Sequence, residues 1–150
     1  MADIKSPEAR SYNMSKIRGK DTGPELIVRN FLFKNGFRYR IHNDTLPGKP
    51  DIVLKKYRTV IFVNGCFWHA HEGCKDFVWP RNNQAFWKKK IDGNVVRDQF
   101  NYEKLHSQGW NVIICWECQL KNKAVRELTL SSLADAIVSN FSPQKELENY

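Results

Sequence analysis

One short loop carries most of the chemistry this chain can offer. Residues 64–74 read Asn-Gly-Cys-Phe-Trp-His-Ala-His-Glu-Gly-Cys, and Cys115 and Cys118 form a C-x-x-C pair further on. Soft and borderline ligands drawn from two separated segments match a closed tetrahedral zinc site, one that would tie this loop to the end of a later strand. Two sets of four are open. Cys66, Cys74, Cys115 and Cys118 would make an all-thiolate site. Cys66, His71, Cys74 and Cys118 is the preferred set, because Cys115 falls inside an apolar run where a thiol packs as a small hydrophobe. Cys118 lies beyond the end of that run.

A second candidate is Asp51, which closes Pro47-Gly48-Lys49-Pro50-Asp51 and opens a short strand, with a hydrophobic strand following at 59–63. A carboxylate at a sheet edge can hold Mg²⁺, which stabilises charge developing on a phosphate and lowers the pKa of an attacking water. Asp beside Pro also starts ordinary turns, so the pattern by itself leaves both readings open. His42 and His106 have no neighbours that suggest a site and read as structural or surface residues.

The elements that must position these groups follow from periodicity. A helix should open at Thr22-Gly23-Pro24-Glu25, with Thr22 as cap and Pro24 in the first turn. Leu26, Ile27, Phe31 and Leu32 recur at helical spacing until Asn35-Gly36 stops them. Alternation from Phe37 to Ile41 predicts a strand. Asp51–Leu54 and the β-branched Thr59–Val63 predict two more, the latter bounded by Asn64-Gly65. Residues 84–108 read as helical, with Ile91, Val95, Tyr102 and Leu105 on one face and Gly93 as a break or bend. Gly109 ends that helix. Trp110–Trp116 is a continuous apolar run suited to a buried strand, and a final amphipathic helix covers 123–140. Mixed strands and helices in this order predict an α/β or α+β sandwich around a central sheet.

The 150 residues suit one domain, with a hydrophobic fraction of 41% that is ordinary for a globular chain. Residues 1–20 read as a basic arm, 21–141 as the folded domain and 142–150 as a polar tail. No apolar run approaches the roughly 20 residues of a membrane span, and the opening MADIKSPEAR lacks the apolar core of a secretory signal. The chain is therefore expected in the cytosol, where its four cysteines stay reduced and serve as ligands or buried thiols. Lys and Arg outnumber Asp and Glu by 24 to 16, a net charge of +8. The excess clusters at Lys16, Arg18 and Lys20, at Lys55, Lys56 and Arg58, and at Lys88, Lys89 and Lys90. Such patches attract phosphate backbones, and five Trp add groups able to stack or wedge. A solvated basic face is the plainer alternative.

The segments NMSKIRGKDTGPE, LPGKPDIV, VIFVNGCFWHAHEGC, FWKKKIDGNVVRD and GWNVIICWEC resemble those of the Vsr family, the very-short-patch repair endonucleases. The resemblance runs from about Ser11 to about Leu120, and GCFWH followed by Cys and then WEC is its most specific part. It implies a bacterial, cytoplasmic, monomeric enzyme with a restriction-endonuclease-like three-layer sandwich, a central mixed sheet and a structural zinc site. The implied reaction is a Mg²⁺-dependent nick on the 5′ side of the mismatched T in T·G pairs of double-stranded DNA, with room for contacts to other mismatch-repair proteins. By position, Asp51 resembles the Mg²⁺-binding aspartate, with the Val63 backbone carbonyl as a further ligand. His69 resembles the histidine that activates or orients the attacking water, and Glu25 a helix-start carboxylate that supports the waters around the metal. Cys66, His71, Cys74 and Cys118 match the structural zinc ligands. Phe67, Trp68 and Trp87 resemble the aromatic wedge, with Lys88, Lys89, Lys16 and Arg18 on the DNA backbone.

The residues themselves allow other roles. His69 can be a zinc ligand, Glu25 a favourable charge on a helix dipole, and the three aromatics core. The sequence also departs from its kin. Where the wider fold carries Glu-x-Lys this chain reads Phe62-Val63-Asn64, and the Vsr branch likewise lacks that pair. Some members carry, where this chain has Asn64, a His that contacts the scissile phosphate; Asn can donate a hydrogen bond but carry no charge. Relative to some members, one extra residue sits between His71 and Cys74. Two rival functions stand beside the enzyme: a zinc-stabilised DNA-binding module without catalysis, and a nicking nuclease with a different target.

Overall fold

A computed structural model describes residues 22–141. The basic arm with Lys16 and Arg18 and the tail from residue 142 lie outside the described residues.

Helix α1 spans Gly23–Lys34, and the Thr22 side chain accepts the Glu25 N–H at 3.4 Å, so the expected cap forms. The helix stops at Asn35, and Gly36 follows at φ +85°. Strand β1 covers Ile52–Leu54 and β2 Thr59–Asn64, joined by a single 3₁₀ turn. Helix α2 runs Gln84–Ser107, β3 Asn111–Trp116, and α3 Lys123–Ser139, with a second 3₁₀ turn at Glu117–Leu120.

The sheet order is β1-β2-β3. β1 runs antiparallel to β2 with Val53 opposite Val60, and β3 runs parallel to β2 with Ile61 opposite Ile113 and Asn64 opposite Trp116. A parallel pair needs a long crossover, and α2 supplies it. Because side chains alternate along a strand, the sheet buries two different clusters. Ile52, Leu54, Ile61 and Cys115 pack on one face with Val28 and Leu32 of α1 and Leu130, Leu133 and Ile137 of α3. Val53, Val60 and Phe62 pack on the other with Leu105 of α2. Helices on both sides explain why β2 reads as an unbroken apolar run rather than an alternating one. No helix among the described residues is long and apolar enough to cross a membrane.

Three local expectations change. Phe37–Ile41 is not a strand: Arg40 alone pairs, exchanging both backbone hydrogen bonds with Val53 at 2.9 Å. The alternation is real, since Phe37 is buried and the Tyr39 hydroxyl donates to the Arg29 carbonyl. Its three-residue partner strand and the turn at His42, φ +57°, leave no length for a ladder. Gly93 does not interrupt α2. An added Cβ there would meet nothing within 4 Å, so this glycine lowers helix stability by about 1 kcal/mol without altering the path. β3 is half-buried rather than buried, with Cys115 alone fully enclosed, because it is paired on one side only among the described residues.

Candidate active site and metal centre

Beyond Asn64 the chain leaves the sheet in a tight, turn-rich loop, with the His71 N–H on the Cys66 carbonyl at 2.9 Å and the Cys74 N–H on the His71 carbonyl at 3.3 Å. These turns bring Cys66, His71 and Cys74 to one point. Cys118 comes from the 3₁₀ turn after β3, and because β3 pairs in register with β2, the two strand ends arrive side by side. The ligand atoms of Cys66, His71, Cys74 and Cys118 all lie within 4.8 Å of one another. The His71 ring stacks on Trp116 at 4.0 Å and 6°, and Lys121 binds Asp76 at 3.0 Å across the same two segments. Burial pushes the Cys66 thiol well up, so a thiolate there needs a cation. Cys115 is 2% exposed and packs in the core with Ile61 and Leu133, apart from this group.

Asp51 is fixed at both ends: its N–H donates to the Ile61 carbonyl at 3.1 Å, and its Oδ2 accepts the Val63 N–H at 2.7 Å. Burial raises its carboxyl from 3.8 to about 6, partly offset by the Val63 N–H; Glu25 raises it further, while Arg29 and His69 oppose. Glu25 is 3% exposed and accepts a hydrogen bond from Arg29 Nη2 at 3.0 Å, Arg29 being 7% exposed. The helix start thus places a carboxylate inside the protein, close enough to Asp51 to disfavour its charge.

His69 pairs through Nδ1 with Asp98 Oδ2 at 2.6 Å. When a carboxylate holds the proton on Nδ1, Nε2 is left to accept one. Asn64 is 4% exposed and its Nδ2 donates to the Tyr102 hydroxyl at 3.0 Å. Burial pushes that phenol up to about 12, the Asn64 bond lowering it and the Asp98 and Asp51 charges raising it. His69, Asp98, Asn64 and Tyr102 line an open groove of about 1130 Å³ with Trp79 and Trp116. Asp51 lies outside that lining, beside Val63.

Phe67, Trp68 and Trp87 meet in one cluster, with ring centroids 5.2, 5.5 and 5.9 Å apart. All three are half-buried, and Phe86, 59% exposed, extends the cluster to the surface. Lys88 pairs with Asp92 at 2.9 Å. Lys89 and Lys90 are exposed and border a shallow groove with Phe86, Gly93, Asn94 and Arg97. His42 and His106 are exposed.

Asp98 is the residue that the reading of the sequence did not single out. Its signal was a charge at position 98 in a stripe whose other members, Ile91, Val95, Tyr102 and Leu105, were expected to face the core.

A histidine base held by a carboxylate, in an open groove on a strongly basic chain, is the equipment of an enzyme that hydrolyses nucleic acid. Comparison with known proteins agrees. The family described as DNA mismatch endonuclease Vsr matches residues 2–75. The chain is 47% identical over 137 residues to the type II nicking enzyme V.NmeAIP of Neisseria meningitidis, covering 91% of this chain and 97% of the relative. It is 42% identical over 135 residues to the type II nicking enzyme V.XorIIP of Xanthomonas oryzae, covering 90% and 98%. It is 39% identical over 137 residues to the DNA mismatch endonuclease Vsr of Escherichia coli, covering 91% and 86%. The chain belongs to the Vsr family and is a DNA endonuclease, a hydrolase of phosphodiester bonds.

Proposed function

We infer that the protein nicks one strand of double-stranded DNA on the 5′ side of the mismatched T in a T·G pair, using Mg²⁺ at Asp51 and a structural zinc. The observation that carries catalysis, against a purely DNA-binding module, is the His69–Asp98 pair at 2.6 Å near a half-buried Asp51. Binding DNA requires neither. The placement of helices on both faces of a mixed sheet supports the three-layer, restriction-endonuclease-like sandwich of this family. A monomer acting in the bacterial cytoplasm is the expected form, and other mismatch-repair proteins are candidate partners.

Both metals fit the residues present. Zinc takes S and N ligands in a tetrahedron, and the three thiols and one imidazole within 4.8 Å are such a set. Mg²⁺ prefers carboxylate and carbonyl oxygens. A half-buried Asp51 with its carboxyl raised to about 6 by desolvation and by Glu25 is a group whose charge a cation would relieve, with the Val63 carbonyl as second ligand. When bound, Mg²⁺ supplies Lewis-acid stabilisation of charge on the phosphate. His69 takes a proton from the attacking water through Nε2, because Asp98 holds Nδ1. The Val63 N–H fixes the orientation of the Asp51 carboxylate, and Glu25, pinned by Arg29, orders the polar surroundings. Asp98→Asn is expected to slow nicking on the order of 10²-fold or more, since an amide can donate to Nδ1 and favour the wrong tautomer. Mismatch affinity should be unchanged in the same protein. Wild-type rates in Asp98→Asn would remove His69 from its role.

Selectivity follows from wedging. A wobble T·G pair stacks less well than a matched pair, so opening the neighbouring step costs less of the few kcal/mol required. Phe67, Trp68 and Trp87 replace the lost stacking with base–aromatic contact worth roughly 1–3 kcal/mol per base. Lys89, Lys88 and the arm residues Lys16 and Arg18 hold the backbone without reading sequence. The test is nicking with Mg²⁺ on duplexes carrying each mismatch, together with affinities for T·G and matched T·A duplexes. Preferential T·G nicking is the expected result. Trp68→Ala should narrow the affinity gap by roughly 5- to 160-fold, which is the 1–3 kcal/mol of one stacked base expressed as a ratio. Equal cutting of a matched duplex would favour the nicking nuclease of other specificity, as the names of two relatives also allow. A gap untouched by Trp68→Ala would make the aromatics core.

A further inference from the structure

Three side chains of α2 spaced four apart hold the end of β2 and the loop that follows it. Asn94 Nδ2 donates to the Trp68 carbonyl at 3.0 Å, Asp98 holds His69 at 2.6 Å, and the Tyr102 hydroxyl accepts from Asn64 Nδ2 at 3.0 Å. Residues i, i+4 and i+8 share one helix face, so this face of α2 sets the position of the whole segment 64–69. The first contact holds backbone, and the second orients the base. The third has no role in the mechanism above.

Its chemistry suggests one. Asn64 is 4% exposed and gives its amide hydrogen to the phenol, whereas Tyr102 is partly exposed and lines the groove. A hydroxyl that accepts one hydrogen bond still has its own hydrogen to donate. The phenol is also close enough to both Asp98 and Asp51 to feel their charges, so it lies near both the carboxylate that orients the base and the one assigned to Mg²⁺. A phosphate brought there meets two negative groups, and a neutral donor can bind it without adding to either.

The geometry points to Tyr102 as a catalytic residue, its hydroxyl donating a hydrogen bond to a non-bridging oxygen of the scissile phosphate while Asn64 orients the phenol. This rests on the groove being the nicking site. The bond should strengthen as negative charge builds on that oxygen, the situation in which one donor contributes about 10²-fold or more to rate.

Tyr102→Phe keeps the ring that packs edge-on against Phe62 at 5.0 Å and removes the hydroxyl, which is both the donor to phosphate and the acceptor of the Asn64 amide. Single-turnover nicking of a T·G duplex is compared for wild type and Tyr102→Phe, with an ordinary scissile phosphate and with each phosphorothioate diastereomer. Expected are a loss of about 10²-fold in Tyr102→Phe, a melting temperature lowered by no more than the one hydrogen bond lost by Asn64 and unchanged T·G affinity. Sulfur at the contacted oxygen should slow wild type more than it slows Tyr102→Phe, because the variant has no bond there to lose. Asn64→Ala, which leaves the phenol without its guide, should lose part of the rate and keep the sulfur effect. Equal rates in wild type and Tyr102→Phe would overturn the assignment, as would a slower variant whose sulfur effect matches wild type. A wild-type protein that nicks no duplex would instead sink the function proposed above.

Discussion

Asp51→Asn is expected to lose at least about 10³-fold in nicking rate and yet to melt higher than wild type at pH 7 without metal. The rate loss follows from removing the ligand of a cation whose charge stabilisation amounts to several kcal/mol, each 1.36 kcal/mol being tenfold. The stability gain follows from proton linkage. The folded Asp51 carboxyl titrates at about 6 against a usual value of 3.8, so between those values the native state holds the proton more tightly than the unfolded chain. Stability then falls as pH rises through that window. At pH 7 the ionised, metal-free carboxylate costs on the order of 2–3 kcal/mol, which the neutral amide avoids. At pH 3.5 both proteins are neutral here, and the difference should vanish. Mg²⁺ should raise the melting temperature of wild type and leave Asp51→Asn unmoved. Nicking by wild type should decline as pH falls through about 6, and at lower pH when Mg²⁺ is raised, since a cation competes with the proton. Calorimetry at both pH values and single-turnover rates check this. Wild-type nicking by Asp51→Asn, or a melting gain equal at pH 3.5 and 7, would reject Asp51 as the metal-binding carboxylate.

What could be read from the sequence depended on whether a signal was local. The cap at Thr22, the stop at Asn35-Gly36 and the unbroken β2 run each lie within a few residues, and each formed where expected. The gathering of Cys66, His71, Cys74 and Cys118 was legible because three of the four share one loop and the fourth follows a strand whose apolar length showed where it ends. Cys115 and Cys118 were separable for the same reason: one lies inside the run and one beyond it. Asp98 was not legible. It is 29 positions from His69, and only the packing of α2 against the sheet brings the two together. The Tyr102–Asn64 contact, 38 positions apart, was hidden likewise. Periodicity misled at Phe37–Ile41, where alternation reports which side chains turn inward but not whether a neighbouring strand is long enough to pair. Helix propensity misled at Gly93, where a helix held by packing at Ile91 and Leu105 tolerates an intrinsically poor residue.

Losing the fourth ligand should separate the two cysteines of the C-x-x-C pair most sharply. Cys118→Ser is expected to purify with well under one zinc per chain and to lose several kcal/mol of stability, whereas Cys115→Ala should keep one zinc per chain. Structural zinc contributes roughly 10–16 kcal/mol in small zinc-folded peptides, because binding energy is folding energy when no site exists in the unfolded chain. Here the clip joins the loop after β2 to the turn after β3, two segments otherwise linked at this end by the stacking of His71 on Trp116 and the Lys121–Asp76 pair. An exposed ion pair of that kind contributes at most about 1 kcal/mol, so it cannot replace the metal. His69 lies between two of the ligands, three residues after Cys66 and two before His71. A loosened loop should therefore release it from Asp98 and cut nicking even in the fraction of Cys118→Ser that remains folded. Cys115→Ala removes one sulfur from the core formed with Ile61 and Leu133, a cavity costing about 1–2 kcal/mol, with zinc and nicking retained. Metal analysis, thermal melting and nicking rates on the two variants decide the matter. An empty site in Cys115→Ala would establish the all-thiolate set instead, and full zinc in Cys118→Ser would remove Cys118 from it.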